Sequence, residues 1–177
     1  MSFKEIAIQD LKQNAPKLIG KDWMLICGGM KDNYNMMTAS WGGLGELWSK
    51  PVAFIFIRPS RYTYDYIEGN DFFSLNFFTR KGKVPRKYKK LMNWMGSHSG
   101  KDINKMDNEN LTSLEDGGIP TTYFEESSIV ILCKKIYYQD LVPEQFLDNS
   151  IEENYNGKDY HRMFVGEILK TYKDDNI

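Results

Sequence analysis

Two arginines and two hydroxyl residues cluster in the stretch "IRPSRYTYDYIEG", residues 57–69. Arg58 and Arg61 alternate with Ser60 and Thr63, directly after the apolar run "PVAFIFI". Guanidinium and hydroxyl groups beside the free N–H groups of a helix start are the chemistry that binds a phosphate. The stretch therefore predicts a site for a phosphate monoester.

The helix that this site requires is also indicated by the sequence. Ser60 is a suitable N-cap and Gly69 a suitable C-terminal glycine, which predicts a helix over residues 61–68. A structural alternative fits the same stretch: the arginines pair with Asp65 or Glu68, and Ser60 only caps the helix. These residues alone do not separate the two interpretations.

A second stretch, "NMMTASWGGLGELWSKP", favours a flat ligand. A strand ending in Thr38, Ala39, Ser40 and Trp41 runs into Gly42, Gly43 and Gly45. Glycines let a backbone approach a ring closely, while the hydroxyls and amides address its polar edge. The pattern suits a heteroaromatic ring, although a glycine-rich turn after a strand is more often simple hairpin punctuation.

Two further stretches could complete such a site. The loop "SGKDINK" offers Ser99, Lys101, Asp102 and Lys105 to an anionic tail. In "FFSLNFF" the two-residue period of a strand puts Ser74 and Asn76 on one face. An alternating polar residue in an aromatic strand more often marks its solvent side.

Composition restricts the class of protein. The 177 residues are 41% hydrophobic and 27% charged with a net charge of −1, which suits one domain over residues 1–177. Near-neutral charge argues against nucleic acid and anionic lipid as partners. The N-terminus lacks a signal-peptide pattern and the apolar runs are too short for a membrane span, so we expect a cytoplasmic protein with no membrane contact. Cys27 and Cys133 lie in apolar settings without metal-ligand spacing, as expected of reduced thiols.

The apolar pattern predicts a mostly β protein with a few short peripheral helices. Phe3, Ile6 and Leu11 have helical spacing, which predicts an opening helix. Six strands are predicted from apolar and β-branched runs: "DWMLICGG", "NMMTASW", "PVAFIFI", "FFSLNFF", "SIVILCKKIYY" and "RMFVGEILKTY". Strands as apolar as "PVAFIFI" are buried on both faces, which favours a closed barrel.

A basic run, "RKGKVPRKYKK" at residues 80–90, carries seven cationic side chains. Without a stacking platform, such a run is most often a solvated helix face or a mobile flap. A role in attracting the phosphates of NADPH is the other interpretation, and the sequence does not rank the two.

Taken in order, these stretches together with "CKKIYYQDL" and "DYHRMFVGEI" resemble the flavin reductase-like, FMN-binding split-barrel family over most of the chain. The resemblance implies a split β-barrel that holds FMN noncovalently in a homodimer. It places four residues at the flavin ring: Thr38, Ala39, Ser40 and Trp41. It places four at the phosphate: Arg58, Ser60, Arg61 and Thr63. It puts Asn76, Phe77 and Phe78 along the flavin, and Ser99, Lys101 and Lys105 in a closing loop.

The resemblance also implies a reaction. Hydride from NADH or NADPH would reach the flavin and pass to a free flavin or another small-molecule acceptor, with no catalytic acid or base from the protein. His161 matches a histidine strand near the nicotinamide site in that family, although a half-buried histidine at a strand end is an equal alternative. The alternative function is a flavoredoxin-like FMN electron carrier that does not oxidise NAD(P)H rapidly.

Overall fold

The computed structural model describes residues 3–30, 32–108 and 110–175. Ten strands are described: β1 (Phe3–Ile6), β2 (Met24–Met30), β3 (Asn33–Ala39), β4 (Gly42–Leu47), β5 (Lys50–Ile57), β6 (Phe72–Phe77), β7 (Ser113–Glu115), β8 (Thr122–Phe124), β9 (Ile129–Asp140) and β10 (Arg162–Asp174). The α-helices described are α1 (Ala15–Gly20), α2 (Tyr62–Gly69) and α3 (Arg86–Ser97).

One antiparallel sheet organises the molecule, with strands in the order β3-β2-β6-β9-β10-β5-β4 and with β1 added to β10. Residues from β2, β3, β5, β6, β9 and β10 meet in a single buried cluster, so the sheet wraps around one core. Among the described strands the two ends, β3 and β4, do not pair with each other. The fold is therefore a split barrel, and the closed barrel suggested by strand burial is wrong.

Strand β5 shows how the sequence builds this core. Ala53, Ile55 and Ile57 are fully buried in the barrel interior, while Phe54 and Phe56 alternate with them and stay partly exposed. This is the two-residue period of a strand, and it carries on to Arg58 at the strand's end. The same alternation therefore places Phe56 and Arg58 on one side.

Helix α3 covers a second core on the outer side of β2 and β3. Tyr88, Leu91, Met92 and Met95 recur at helical spacing and pack against a cluster that includes Met36 and Phe78. The basic run 80–90 leads into this helix, with Lys89 lying 5.4 Å from the centre of the Trp23 ring. The carboxyl end of α3 is thereby brought beside the end of β3.

All six predicted strands are confirmed, as β2, β3, β5, β6, β9 and β10. The opening helix is wrong, because Phe3–Ile6 is a strand that pairs with β10 and the first α-helix begins at Ala15. The spacing of Phe3, Ile6 and Leu11 suits a helix, but pairing with a strand that is distant in sequence overrides this local preference. Among the described residues, no helix has the length and apolarity needed to cross a membrane.

Candidate functional site

A cleft of about 270 Å³ opens where β3 and β5 end beside the carboxyl end of α3. Its walls combine apolar, hydroxyl and cationic side chains, and they include many of the residues singled out by the sequence. The cleft is lined by Met37, Thr38, Ala39, Ser40, Trp41, Phe56, Arg58, Arg61, Gly96 and His161.

One end of the cleft is aromatic and apolar. The Trp41 side chain is 44% exposed, so the indole is available to a ligand. The Thr38 hydroxyl is engaged, because Oγ1 donates to the carbonyl oxygen of Met92 at 2.5 Å and so joins β3 to α3. A Cβ at Gly96 would meet Thr38 Cβ at 3.4 Å, an ordinary van der Waals contact, so α3 packs directly beside Thr38.

His161 closes the cleft opposite β3, immediately before β10. Its ring lies 5.0 Å from the Trp41 ring, and Nδ1 lies 2.9 Å from the Tyr155 hydroxyl. Burial lowers the pKa of His161 to about 4, with Arg58 adding to the effect. At neutral pH the imidazole is therefore uncharged and can donate or accept a hydrogen bond without supplying a cation.

A neighbouring cavity of about 170 Å³ shares Arg61 and Met37 with the cleft, and we call it the cationic cavity. It is lined by Asn35, Met37, Ser60, Arg61, Tyr62, Thr63, Ser97, His98, Ser99, Gly100 and Lys105. The described residues bring no carboxylate into an ion pair with Arg61 or Lys105. Arg61 Nη2 donates to the Gly96 carbonyl at 2.8 Å, which fixes the guanidinium between the two spaces.

Lys105 is a buried cation beside Arg61. Its Nζ donates to the carbonyl oxygens of Met36 at 3.0 Å and Met95 at 2.8 Å, which leaves one ammonium hydrogen for another acceptor. Burial and then the charge of Arg61 lower the pKa of Lys105 to about 8. An anion placed here would relieve both effects, because it favours the charged ammonium.

The loop at residues 99–101 passes over this cavity. An added Cβ at Gly100 would lie 2.3 Å from Asn35 Oδ1 and 2.7 Å from Tyr62 Cδ1, so only glycine fits. Ser99 lines the cationic cavity, and its Oγ accepts from the Lys101 backbone N–H at 3.1 Å. The Lys101 ammonium lies 5.8 Å from the Tyr62 ring and faces an adjoining space of about 290 Å³.

Arg58 and Ser60 have a different environment. Asp159 Oδ1 accepts from the Ser60 backbone N–H at 3.0 Å, and Oδ2 accepts from the Ser60 hydroxyl at 2.6 Å. Arg58 Nη1 lies 3.9 Å from the same carboxylate, while Nη2 donates to the Asn154 carbonyl at 2.7 Å. This half of the stretch already has an anion, which comes from the protein itself.

Comparison with known proteins identifies the family. The family model described as "Flavin reductase like domain" matches residues 19–177. The chain belongs to the flavin reductase-like domain family.

Solved structures share the fold of this chain. Flavoredoxin from Methanosarcina acetivorans is 18% identical with a TM-score of 0.66, over 97% of this chain and 76% of that one. An FMN-binding protein from Thermus thermophilus is 18% identical with a TM-score of 0.63, over 95% and 80% of the two chains. An NADH:FAD oxidoreductase from Streptomyces globisporus is 12% identical with a TM-score of 0.63, over 86% and 75%. No curated protein matches the sequence significantly.

The cap that was predicted for α2 of this flavin reductase-like domain is wrong. The helix spans Tyr62–Gly69, Arg61 occupies the N-cap position, and no side chain caps it. Ser60 lies one residue earlier, with its hydroxyl bound to Asp159. Thr63, inside the first turn, is buried and accepts from Asn35 Nδ2 at 2.7 Å.

Three residues assigned to the flavin do not line the cleft or the cationic cavity of this flavin reductase-like domain. Asn76, Phe77 and Phe78 are fully buried. The Asn76 amide donates to Ser74 Oγ at 2.8 Å. It also accepts from the Phe124 N–H at 3.1 Å, which joins β6 to β8. Ser74 and Asn76 do share a face, but it is buried and does not mark a solvent side.

The glycines that follow Trp41 serve the sheet of the flavin reductase-like domain. Gly42, Gly43 and Gly45 lie in β4, which pairs with β5. A Cβ at Gly42 would lie 2.6 Å from the Phe54 carbonyl oxygen, so this residue permits a close strand contact. The flat-ligand interpretation of these glycines is therefore not needed to explain them.

Sequence reasoning missed Phe56, Gly96 and Gly100. Phe56 was detectable, because the two-residue period of β5 places it beside Arg58. Gly96 and Gly100 carry no local signal, since their neighbours Thr38 and Asn35 are far away in sequence, and only the contact of Gly100 with Asn35 requires a glycine. Cys27, which the sequence places in an apolar setting, is fully buried in the second core, where burial raises the pKa of its thiol.

Proposed function

We propose that this domain binds FMN noncovalently and works as an oxidoreductase. Bound FMN would supply the redox chemistry between NADH or NADPH as the hydride donor and a free flavin or another small molecule as the acceptor. The observation that carries the proposal is the juxtaposition of an aromatic cleft with a cationic cavity that share Arg61. A planar ring joined to a phosphate monoester needs these two environments side by side.

The donor set suits the phosphate. Arg61, Lys105 and the hydroxyls of Ser99 and Thr63 supply donors, and no carboxylate pairs with either cation among the described residues. Hydrogen bonds between charged groups are about twice as strong as neutral ones, and a guanidinium can contact two phosphate oxygens at once. We assign the phosphate to the cationic cavity, held by Arg61, Ser99 and Lys105, with Thr63 at its base.

The flavin ring belongs in the cleft that adjoins the cationic cavity. Residues 38–41 would present backbone amides and the Ser40 hydroxyl to its polar edge, and Met37 and Phe56 would exclude water. Trp41 offers an exposed indole for ring contact. Bound flavin supplies the hydride chemistry, so the protein's task is to hold the ring and admit the second substrate.

His161 is placed to orient that second substrate. It lines the cleft, lies 5.0 Å from the Trp41 ring and is neutral at physiological pH because its pKa is about 4. A neutral imidazole in this position can hydrogen-bond an amide without repelling the cationic Arg58. We propose a binding role for His161 and no proton transfer.

The test has two readouts. FMN added to the purified protein should quench tryptophan fluorescence, and NADH or NADPH oxidation should then depend on FMN. Protein that leaves FMN fluorescence unchanged in a titration would refute the proposal. Binding without nicotinamide oxidation would instead favour an electron carrier, which the fold it shares with flavoredoxin over 97% of the chain also supports.

We further propose a homodimer. Trp48 is 59% exposed at the β4–β5 turn, where its ring lies 5.8 Å from that of Tyr137, itself 40% exposed. Exposed aromatic pairs of this kind are favoured at protein interfaces. Trp48→Glu should shift the protein toward monomer in light scattering, whereas a wild type that is already monomeric at micromolar concentration would contradict the dimer.

A further inference from the structure

Residues 149–161, which we call the strap, lie against the start of the phosphate stretch. Three contacts hold them there. Arg58 donates to the Asn154 carbonyl at 2.7 Å and lies 5.2 Å from the centre of the Tyr155 ring, and Asp159 takes both donors of Ser60. The strap therefore bonds to the first half of "RPSRYT" and leaves the second half to the cationic cavity.

The contact made by Asp159 has the form of a ligand contact. A carboxylate accepts one backbone N–H and one hydroxyl, with a guanidinium 3.9 Å away. These are the donors that the sequence assigns to a phosphate, and a carboxylate offers them the same negative oxygen atoms. The Asp159 side chain is 25% exposed, so water screens its carboxylate only in part.

The backbone of the strap is unusual at the residue that makes this contact. Asp159 has a φ of +58° and Asn156 a φ of +51°, in the left-handed region that non-glycine residues seldom adopt. Aspartate and asparagine tolerate that region better than other side chains, and a strained residue persists where its surroundings hold it. The contacts with Ser60 supply that restraint.

We infer that Asp159 is an internal anion that occupies the Arg58–Ser60 half of "RPSRYT". It thereby confines a ligand's phosphate to the cationic cavity, beside Arg61 and Lys105. The inference rests on the proposed FMN site. It makes Asp159 a specificity-determining residue, because its charge sets how strongly an external anion is attracted. Two residues on from Asp159, His161 lines the cleft, and its Nδ1 contacts the Tyr155 hydroxyl.

Asp159→Asn tests the inference, because the amide oxygen can still accept from Ser60 while the negative charge is lost. FMN affinity should rise about three- to tenfold, since one repelling charge near the cationic cavity is gone. Riboflavin has no phosphate, so its affinity should change less than about twofold.

A matched control lies in the same part of the chain. Asp148 accepts from the N–H of Ser150 at 2.9 Å and from its hydroxyl at 2.7 Å, the same pair of contacts that Asp159 makes with Ser60. It lines neither the cleft nor the cationic cavity. Asp148→Asn should leave the FMN-to-riboflavin affinity ratio unchanged, and circular dichroism should show both variants folded.

A double-mutant comparison makes the test sharper. In the wild type, Arg58→Ala should change the affinity ratio little, because Asp159 already neutralises that guanidinium. In the Asp159→Asn background, Arg58 becomes available to the phosphate. Arg58→Ala should therefore remove the gain in FMN affinity that Asp159→Asn produces.

If Asp159→Asn lowers the affinities for FMN and for riboflavin equally, the strap is purely structural and the inference is overturned. A wild type that prefers FMN over riboflavin, with a ratio that Asp159→Asn leaves unchanged, would overturn this inference alone. A wild type that binds neither flavin would overturn the proposed function and, with it, the inference.

Discussion

The two arginines of "RPSRYT" stand only three positions apart, yet they belong to different networks. Arg58 contacts Asp159, the Asn154 carbonyl and the Tyr155 ring, all of which belong to the strap. Arg61 contacts a helix carbonyl and faces a cavity that also contains Lys105. A cation that already has an anionic partner gains little from a second one, so the comparison separates a structural arginine from a ligand-binding one.

The largest effect should come from Lys105→Met, which tests the ligand-binding half. The substitution keeps the length of the side chain and removes the buried charge that the phosphate would contact. We expect FMN affinity to fall about ten- to a hundredfold, the value of one lost charge-assisted hydrogen bond. Fluorescence titration measures it, and riboflavin should bind almost as before. A similar loss for riboflavin would show that Lys105 acts only through the structure.

The pH dependence of binding follows from the same lysine. The pKa of Lys105 is about 8 in the folded protein, below its usual value, so the ammonium is lost as the pH rises through that range. A flavin phosphate is already doubly charged there, because its second pKa is about 6. FMN affinity should therefore fall about tenfold between about pH 7 and about pH 9. Isothermal titration would show this fall, which should be absent in Lys105→Met.

Arg58 should affect His161 more than it affects the phosphate. Burial is the main cause of the low pKa of His161, and the charge of Arg58 adds to it. Arg58→Ala should raise that pKa from about 4, by less than the whole difference from the usual value. Nuclear magnetic resonance titration of the imidazole protons measures the shift. An unchanged pKa would mean that water screens Arg58 from His161.

Trp41 should produce the smallest change, since it tests the placement of the ring and not the strength of binding. If the exposed indole lies against the flavin, FMN should quench its fluorescence. Trp41→Phe should then lower the quenching amplitude and change affinity only a few fold. An unchanged amplitude would place the ring elsewhere.

The parts of this structure that follow from local pattern were predictable. The six apolar strands and the helix after "RPSR" are found within a few residues of their predicted bounds. The apolar spacing at residues 3–11 predicts a helix, but β1 forms instead because it pairs with β10 at the other end of the chain. β4 has no strong apolar alternation in "GGLGEL" to predict it, and the glycine at Gly42 is explained only by the Phe54 carbonyl oxygen beside it.

The candidate site, too, is predictable only where a local sequence pattern marks its residues. Residues 38–41, Arg61, Thr63, Ser99 and Lys105 were identified from the sequence and lie around adjoining spaces. Asp159 was not identified, because "NGKDY" has the composition of an ordinary loop and its contact with Ser60 spans 99 positions. The side chain of Asn76 is buried and accepts from the Phe124 N–H, so a contact between this residue and a ligand stays a prediction.

The central claim is that the phosphate stretch divides between its two arginines, and parallel FMN and riboflavin titrations of Arg58→Ala and Arg61→Ala test it most directly. We predict that Arg61→Ala weakens FMN about ten- to a hundredfold and riboflavin little, while Arg58→Ala changes the ratio of the two affinities less than about threefold. Circular dichroism confirms that both variants fold. Equal effects of the two substitutions on that ratio, or a larger effect of Arg58→Ala, would contradict the division.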